Sequence, residues 1–470
     1  MSSKTKRREG TLALVGKRTQ GIIMQNGNKP TAPGRLSRRD LLRNTALVTS
    51  GAALSSLGFG SPALAQEPVT LRLQNWFSDG DISDWQIGID LVKAKYPNIN
   101  VALEFVPYND TVTRTQVGAS AGDLPDIIMC STDHTPTLIT SNMLMDVTPN
   151  VTADGDVNPD DVAAGIAQGF HMFDRWWGFP YDMSTFGIYY NKDMFDAAGV
   201  AYPPAFGETP WTWEQFIEAA VKLTKPSGEQ WGVSWDTPLT HNYLASNFIY
   251  MAGGRNFSDD LKECVIGTPE AAAGVQFMID LIHKHKVAPT PAEVAGDGVN
   301  YFESGLAAMR LDGQWALGQT SRNVDFGFDI SYLPVGKEQK LATGGSGFAI
   351  SATTKHPEAA WQFLKTFTSS DTLAKMIGGT GRGIPARLSA SQSYIDAAVT
   401  PNAAIFPEQL ALAINDRLVL GFPVFLDAYQ RALEPIFNSG EGDVLAALKT
   451  VETTMNAELK KRWANVAIDV

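Results

Sequence analysis

Gly178-Phe-Pro-Tyr-Asp-Met-Ser-Thr-Phe-Gly-Ile-Tyr-Tyr-Asn-Lys-Asp-Met-Phe195 is the stretch on which the fold turns. It opens on a turn-forming Gly-Phe-Pro and passes through the small polar group Tyr181 to Ser184. It then becomes an apolar, aromatic strand, Phe186 to Tyr190, and closes on a helix start, Asn191-Lys-Asp. A strand with a polar, aromatic entry suits a chain that crosses between two lobes and lines the gap between them. The hinge of this first crossing is expected near Thr185, with two further crossings near 308–312 and 350–354.

The rest of the chain has room for two lobes. At 470 residues and 44% hydrophobic content it exceeds one ordinary core. Residues 1–65 read as a leader. Ser37-Arg38-Arg39-Asp40-Leu41-Leu42 resembles a twin-arginine export motif, an Ala/Gly/Ser-rich apolar run follows, and Ala63-Leu64-Ala65 supplies small residues for cleavage after Ala65. Met24 lies at a more usual distance from the arginine pair and is the alternative start. The apolar run is too short to span a membrane. Removing the leader's eleven bases and two acids from 38 and 50 leaves 27 against 48, a net charge near −21. Nucleic acid and anionic membrane surfaces repel such a chain. Cys130 and Cys264 are the only cysteines; they lie far apart, read as buried free thiols, and no cysteine follows the cleavage site to carry a lipid. The expected location is therefore the periplasm.

From Val69 the chain reads as strand, helix, strand. Val69 to Trp76 alternates apolar and polar residues, a helix places Ile82, Trp85, Ile89 and Val92 on one face, and Val101 to Phe105 is a second strand. In an open parallel sheet, ligands collect at the carboxyl ends of the strands. That rule puts Trp76, Ser78, Asp79 and Asp81 beside the gap, although the last three serve equally well as helix caps. Thr111 to Ala121 is a helix ended by Gly122, and Asp126 to Cys130 a buried strand that carries Ser131, Asp133 and His134 to the same edge. Beyond the crossing, Trp235 ends a strand at an edge loop, Gly253 closes a helix, and Gly313-Gln-Trp315 ends a strand expected to return to the first lobe. Gly344-Gly345-Ser346-Gly347 allows close backbone approach, or is simply a flexible turn.

A family resemblance emerges from the order of several short motifs. Leu124-Pro-Asp-Ile-Ile128, Asp146-Val-Thr-Pro149 and Tyr189-Tyr-Asn-Lys-Asp193 come first. Pro210-Trp-Thr-Trp-Glu-Gln-Phe216, Ala307 to Trp315, Gly344 to Ile350, Pro357 to Leu364 and Arg382-Gly-Ile-Pro385 follow. Together they resemble the extracellular solute-binding proteins of sugar ABC transporters, the group to which maltose-binding protein belongs, over residues 67–465. The resemblance implies a type II periplasmic-binding-protein fold, α/β in class, with the ligand cleft between two lobes joined by three crossings. It divides the chain into a first lobe of 66–184 and 309–352 and a second of 185–308 and 353–470. It implies capture of a carbohydrate or polyol by lobe closure, delivery to the membrane permease subunits of an ABC importer, and a monomer with no cofactor.

Sugars present rows of hydroxyls and a mildly apolar C–H face, so a site needs aromatic platforms, acceptors and bidentate donors. Trp76, Tyr181, Trp235 and Trp315 are the candidate platforms. Asp79, Asp81, Asp133 and Asp182 are the acceptors, Arg382 is the donor fork, and Ser131, Ser184, Gly253, Gly344, Gly345 and Ser346 complete the set. Trp211, Trp213 and Trp361 lie on helices and are assigned to packing. The chain has no phosphate loop, His-Glu-x-x-His or zinc-type cysteine spacing, and Phe348 breaks a nucleophile-elbow pattern, so no catalytic or metal site is expected. Two other readings stay open. One is a ligand of the glycerol-3-phosphate or phosphodiester class, which needs a basic pocket near Arg310 and Arg382. The other is an exported glycosidase using a carboxylate pair.

Overall fold

A computed structural model describes residues 67–77, 83–225, 229–235, 242–297 and 299–466. The leader motif, the cleavage site, Ser78, Asp79, Asp81 and Ile82 lie outside the described residues. Along the chain, β1 (Val69–Asn75), α1 (Trp85–Lys95) and β2 (Ile99–Phe105) form the expected βαβ unit, with β1 and β2 parallel from Val69↔Ile99 to Asn75↔Phe105. β1 buries Leu71 and Leu73 fully, and at its carboxyl end the alternation breaks, with Gln74 and Asn75 buried too. Next comes α2 (Thr111–Ala121), ended by Gly122 in the left-handed region at φ 69°, where a side chain would be strained. It leads to β3 (Ile127–Ser131), buried at every position.

The opening stretch resolves into β4 (Gly178–Pro180), β5 (Asp182–Met183) and β6 (Phe186–Asn191). Then come α3 (Trp213–Leu223), closed at its start by a reciprocal Thr212–Gln215 capping box, and β7 (Ser234–Trp235). They are followed by α4 (Tyr243–Met251), α5 (Pro269–His283), β8 (Met309–Gly313), β9 (Phe328–Ser331), β10 (Leu341–Ala342) and β11 (Ser346–Ile350). The chain ends with α6 (Pro357–Phe367), β12 (Ile384–Pro385), β13 (Ala413–Ile414), α7 (Phe422–Ser439) and α8 (Val444–Trp463).

Two sheets define two lobes. The first runs β2-β1-β3-β11-β4, with β11 antiparallel to both its neighbours. The second runs β9-β6-β8-β7. α6 covers the first sheet, packing Trp361, Phe363, Leu364 and Phe367 into one cluster with Leu71 and Trp85. The second sheet shares its core with α3, α4, α5, α7 and α8.

This arrangement corrects the expected lobe boundaries. β8 and β9 belong to the second lobe, because β8 pairs with β6 from Met309↔Tyr190 to Gly313↔Phe186 and β9 pairs with β6 from its other side. α6 belongs to the first. The chain therefore does not cross at 308–312 or 350–354. It returns between β10, buried in the second core, and β11, inside the first sheet. It leaves again after Arg387, which donates to the Thr368 and Asn158 carbonyls of the first lobe. By Ala403 and Phe406 it packs on Tyr189 and Ile330. Thr185 stands at the first crossing, its hydroxyl donating to the Phe406 carbonyl at 3.0 Å. Cys130 and Cys264 are buried and unbridged. Among the described residues, no helix is long and apolar enough to cross a membrane, and no cluster of three metal-ligating side chains occurs.

Candidate ligand-binding cleft

A cavity of about 560 Å³ lies where the lobes meet. The carboxyl ends of β1, β2 and β3 deliver Trp76, Tyr108 and Ser131 to it, as the edge rule requires. The polar entry of the opening stretch supplies Tyr181, Asp182 and Ser184, and the return crossing supplies Gly345 and Ser346. Tyr243 at the start of α4, Trp315 just beyond β8, and Arg417 come from the second lobe.

Asp182 is held by the return crossing. One of its carboxylate oxygens accepts from both the backbone N–H and the hydroxyl of Ser346, each at 2.7 Å. Burial pushes its carboxyl above the usual range, and the Ser346 hydrogen bonds and the Arg382 charge oppose that shift. Glycine is required at the neighbouring position, since a Cβ on Gly345 would stand 2.3 Å from the Asp182 carbonyl oxygen. Tyr181 is buried, and its hydroxyl accepts from Trp85 Nε1 at 3.0 Å. Burial is also the main reason the Tyr181 phenol is held above its ordinary range. Trp76 meets Tyr108 edge-on at 5.2 Å, and the Arg382 guanidinium lies 4.3 Å from the Phe77 ring centre.

Facing these groups, Trp315 stacks on Tyr243 at 6.0 Å and 18°, with Phe186 edge-on to both. Trp315 is 38% exposed, in contrast to most of the large apolar side chains around it. Tyr243 shares a hydrogen bond of 2.6 Å with Ser184.

Nine of the expected residues thus line one cavity: Trp76, Ser131, Tyr181, Asp182, Ser184, Trp315, Gly345, Ser346 and Arg382. Gly344 lies at its margin, where a Cβ would approach the Tyr243 hydroxyl to 3.2 Å. Four expected residues do other things or lie elsewhere. Trp235, 2% exposed, is packed in the second lobe's core, because β7 is a short edge strand whose side chains turn inward. Gly253 makes a left-handed turn after α4 at φ 92°, beside Lys337 and Glu338. Asp133 is bonded to Arg417 and Tyr108 and faces a neighbouring cavity of about 250 Å³. His134 lines that smaller cavity too, and burial holds its imidazole below its ordinary range. Arg310, weighed for a phosphate ligand, is buried in the second lobe against Tyr189, Glu303 and Asp312. Trp213 and Trp361 pack as expected, the former stacked on Phe277 at 4.1 Å.

The edge rule applied to β2 would have found Tyr108, three residues beyond the end of that strand. Tyr243 and Arg417 give no such signal: one begins a helix and the other lies in an irregular segment after β13.

Two α/β lobes with a polar, aromatic cavity between them define a two-lobed binding protein. The chain belongs to the family of bacterial extracellular solute-binding proteins, whose model matches residues 82–374. It is 24% identical over 296 residues to the maltotriose-binding protein of Pyrococcus abyssi, covering 60% of this chain and 59% of that protein. It is 26% identical over 269 residues to the arabinooligosaccharide-binding protein of Halalkalibacterium halodurans, covering 55% and 56%. The chain therefore spans less than two thirds of each of these relatives. Among solved structures, it resembles an ABC substrate-binding protein of Listeria monocytogenes in complex with cycloalternan, with a TM-score of 0.76, 25% identity, and coverage of 84% of this chain and all of that one. A Mycobacterium tuberculosis protein in complex with glycerophosphocholine shares the fold at a TM-score of 0.72 and 19% identity, over 84% of this chain and 99% of that one.

Proposed function

We propose that this chain is the substrate-binding component of an ABC importer, which captures a carbohydrate between its lobes and hands it to a membrane permease. The observation that carries the reading is Trp315, a half-exposed indole at a cavity of mixed apolar and polar lining that Trp76 also lines from the first lobe. Paired aromatic faces with hydroxyl-bonding groups between them suit the two sides of a sugar ring. Charge supports a neutral ligand: among the described residues, Arg322, Arg382 and Arg417 at the cavity are matched by Asp84, Asp182 and the Asp133 bonded to Arg417. The named relatives bind maltotriose and arabinooligosaccharide, which supports an oligosaccharide. The protein works as a monomer and as a binder rather than a glycosidase. It is exported by the twin-arginine route and cleaved after Ala65.

Intrinsic tryptophan fluorescence and thermal shift against a panel of neutral mono- and oligosaccharides test the reading. Saturable binding to at least one sugar is expected, with no cleavage product on prolonged incubation. Silence across the panel would sink it. The second reading is glycerol-3-phosphate or its diesters, and a response to those alone would establish it instead.

A further inference from the structure

Asp133 and Arg417 come from opposite lobes. Asp133 follows β3 at the edge of the first sheet, and Arg417 lies between β13 and α7 of the second lobe. The Arg417 Nη2 donates to Asp133 Oδ2 at 2.8 Å, and the two residues are only 3% and 1% exposed. The carboxylate also accepts from the Tyr108 hydroxyl at 3.0 Å and from the Ser131 hydroxyl. The guanidinium lies 4.2 Å from the Tyr243 ring centre and 4.9 Å from that of Phe422. Arg417 lines the main cavity and Asp133 does not.

A charge buried by closure is tolerated only if its counter-charge arrives in register; a charge left alone there favours whatever motion lets water back in. Asp133 is the one carboxylate bonded to Arg417 among the described residues; the Tyr243 and Phe422 rings and the Tyr108 hydroxyl add to it, and Nε has no hydrogen-bond partner there.

We propose that Asp133 and Arg417 form an interlobe register lock: Arg417 is a ligand-positioning donor on the second lobe, and Asp133 fixes it, so that the cleft closes fully only with the pair intact. The affinity half of this proposal rests on the ligand being held between the lobes. The conformational half does not.

The test measures the distance between spin labels on Ala94→Cys in the first lobe and Lys222→Cys in the second, using the full ligand-free chain. Asp133→Asn and Arg417→Met are each expected to lengthen it. The double variant carries neither buried charge and is expected to return at least half-way to the unsubstituted protein but not all the way; full recovery would overturn the lock. Distances unchanged in both single variants would overturn the lock. So would a double variant opened by the sum of the singles, the pattern of lost packing alone. Tyr108→Phe removes one hydrogen bond from the same carboxylate and provides a milder variant that moves the same way, should Asp133→Asn fold poorly. For a sugar that binds the unsubstituted protein, Asp133→Asn is expected to weaken affinity at least about thirtyfold. If no sugar binds, the carbohydrate reading fails while the distances still decide the lock.

Discussion

On the first-lobe wall of the cleft, polar side chains are already engaged inside the protein: Asp182 with Ser346, Tyr181 with Trp85, and Tyr108 with Asp133 and Ser131. The second-lobe wall instead presents Trp315, 38% exposed, beside Tyr243, whose hydroxyl reaches back to Ser184 at the crossing. One wall is pre-organised and has paid little attention to solvent; the other holds contact area in reserve. A ligand meeting the first wall finds its partners fixed in place, and the energy offered by the second is realised on closure. Affinity then reports on both the contacts and the closed population.

The largest effect should come from breaking the first wall. Tyr181→Ala removes a ring that packs edge-on against Trp85 and Phe348, and it is expected to cost about 3 to 5 kcal/mol of folding stability in denaturant titrations. A loss under about 1 kcal/mol would mean that this wall is not part of the core. Trp315→Ala should do the reverse. Sugar affinity is expected to fall by about 2 kcal/mol, roughly thirtyfold, while stability moves by under about 1 kcal/mol. Comparable losses in both measurements would erase the distinction between the walls.

A further test concerns a carboxylate behind the second wall. Asp416 is buried, and its oxygens have no hydrogen-bond partner of normal geometry among the described residues. Burial pushes its pKa up to about 6, opposed by Tyr250 and Asn256. The folded state therefore keeps a proton that the unfolded chain, with a value near 3.8, has already lost. Stability from this group is full below the unfolded value and falls as pH rises towards about 6. The melting temperature of the parent protein should thus decline relative to Asp416→Asn between pH 4 and 6 and run parallel above pH 7. Parallel curves throughout would show that Asp416 is solvated or paired.

Local pattern made the first lobe largely legible. The alternation of Val69 to Trp76, the Gly122 stop and the strand-end rule placed Trp76, Ser131 and the Tyr181–Ser184 group, because each depends on neighbours within a few residues. The lobe boundaries depended on partners far along the chain. Met309 to Gly313 is buried at every position, a pattern compatible with either sheet, and only its pairing with Phe186 to Tyr190 assigns it to the second. Trp361 likewise looks the same against either core. Trp235 followed the rule for strand ends and failed because β7 turns its side chain inward. Arg417 went unseen for the opposite reason: it belongs to no regular element, and its importance comes from a carboxylate on the other lobe.

The position of β11 has a consequence for how the chain is made. It lies between β3 and β4, although both precede it by a long stretch of sequence. During synthesis, β4 emerges with no strand beside β3 to join, and the whole middle section of the second lobe follows before Ser346 to Ile350 arrives to fill the gap. Until then, Phe179 and Met129 lack Phe348 as a strand partner. The nascent first lobe thus carries an unfinished apolar sheet edge, the kind of surface that chaperones bind and that aggregates when unprotected. A ribosome stalled before residue 350 should display that edge, and one stalled well beyond it should not.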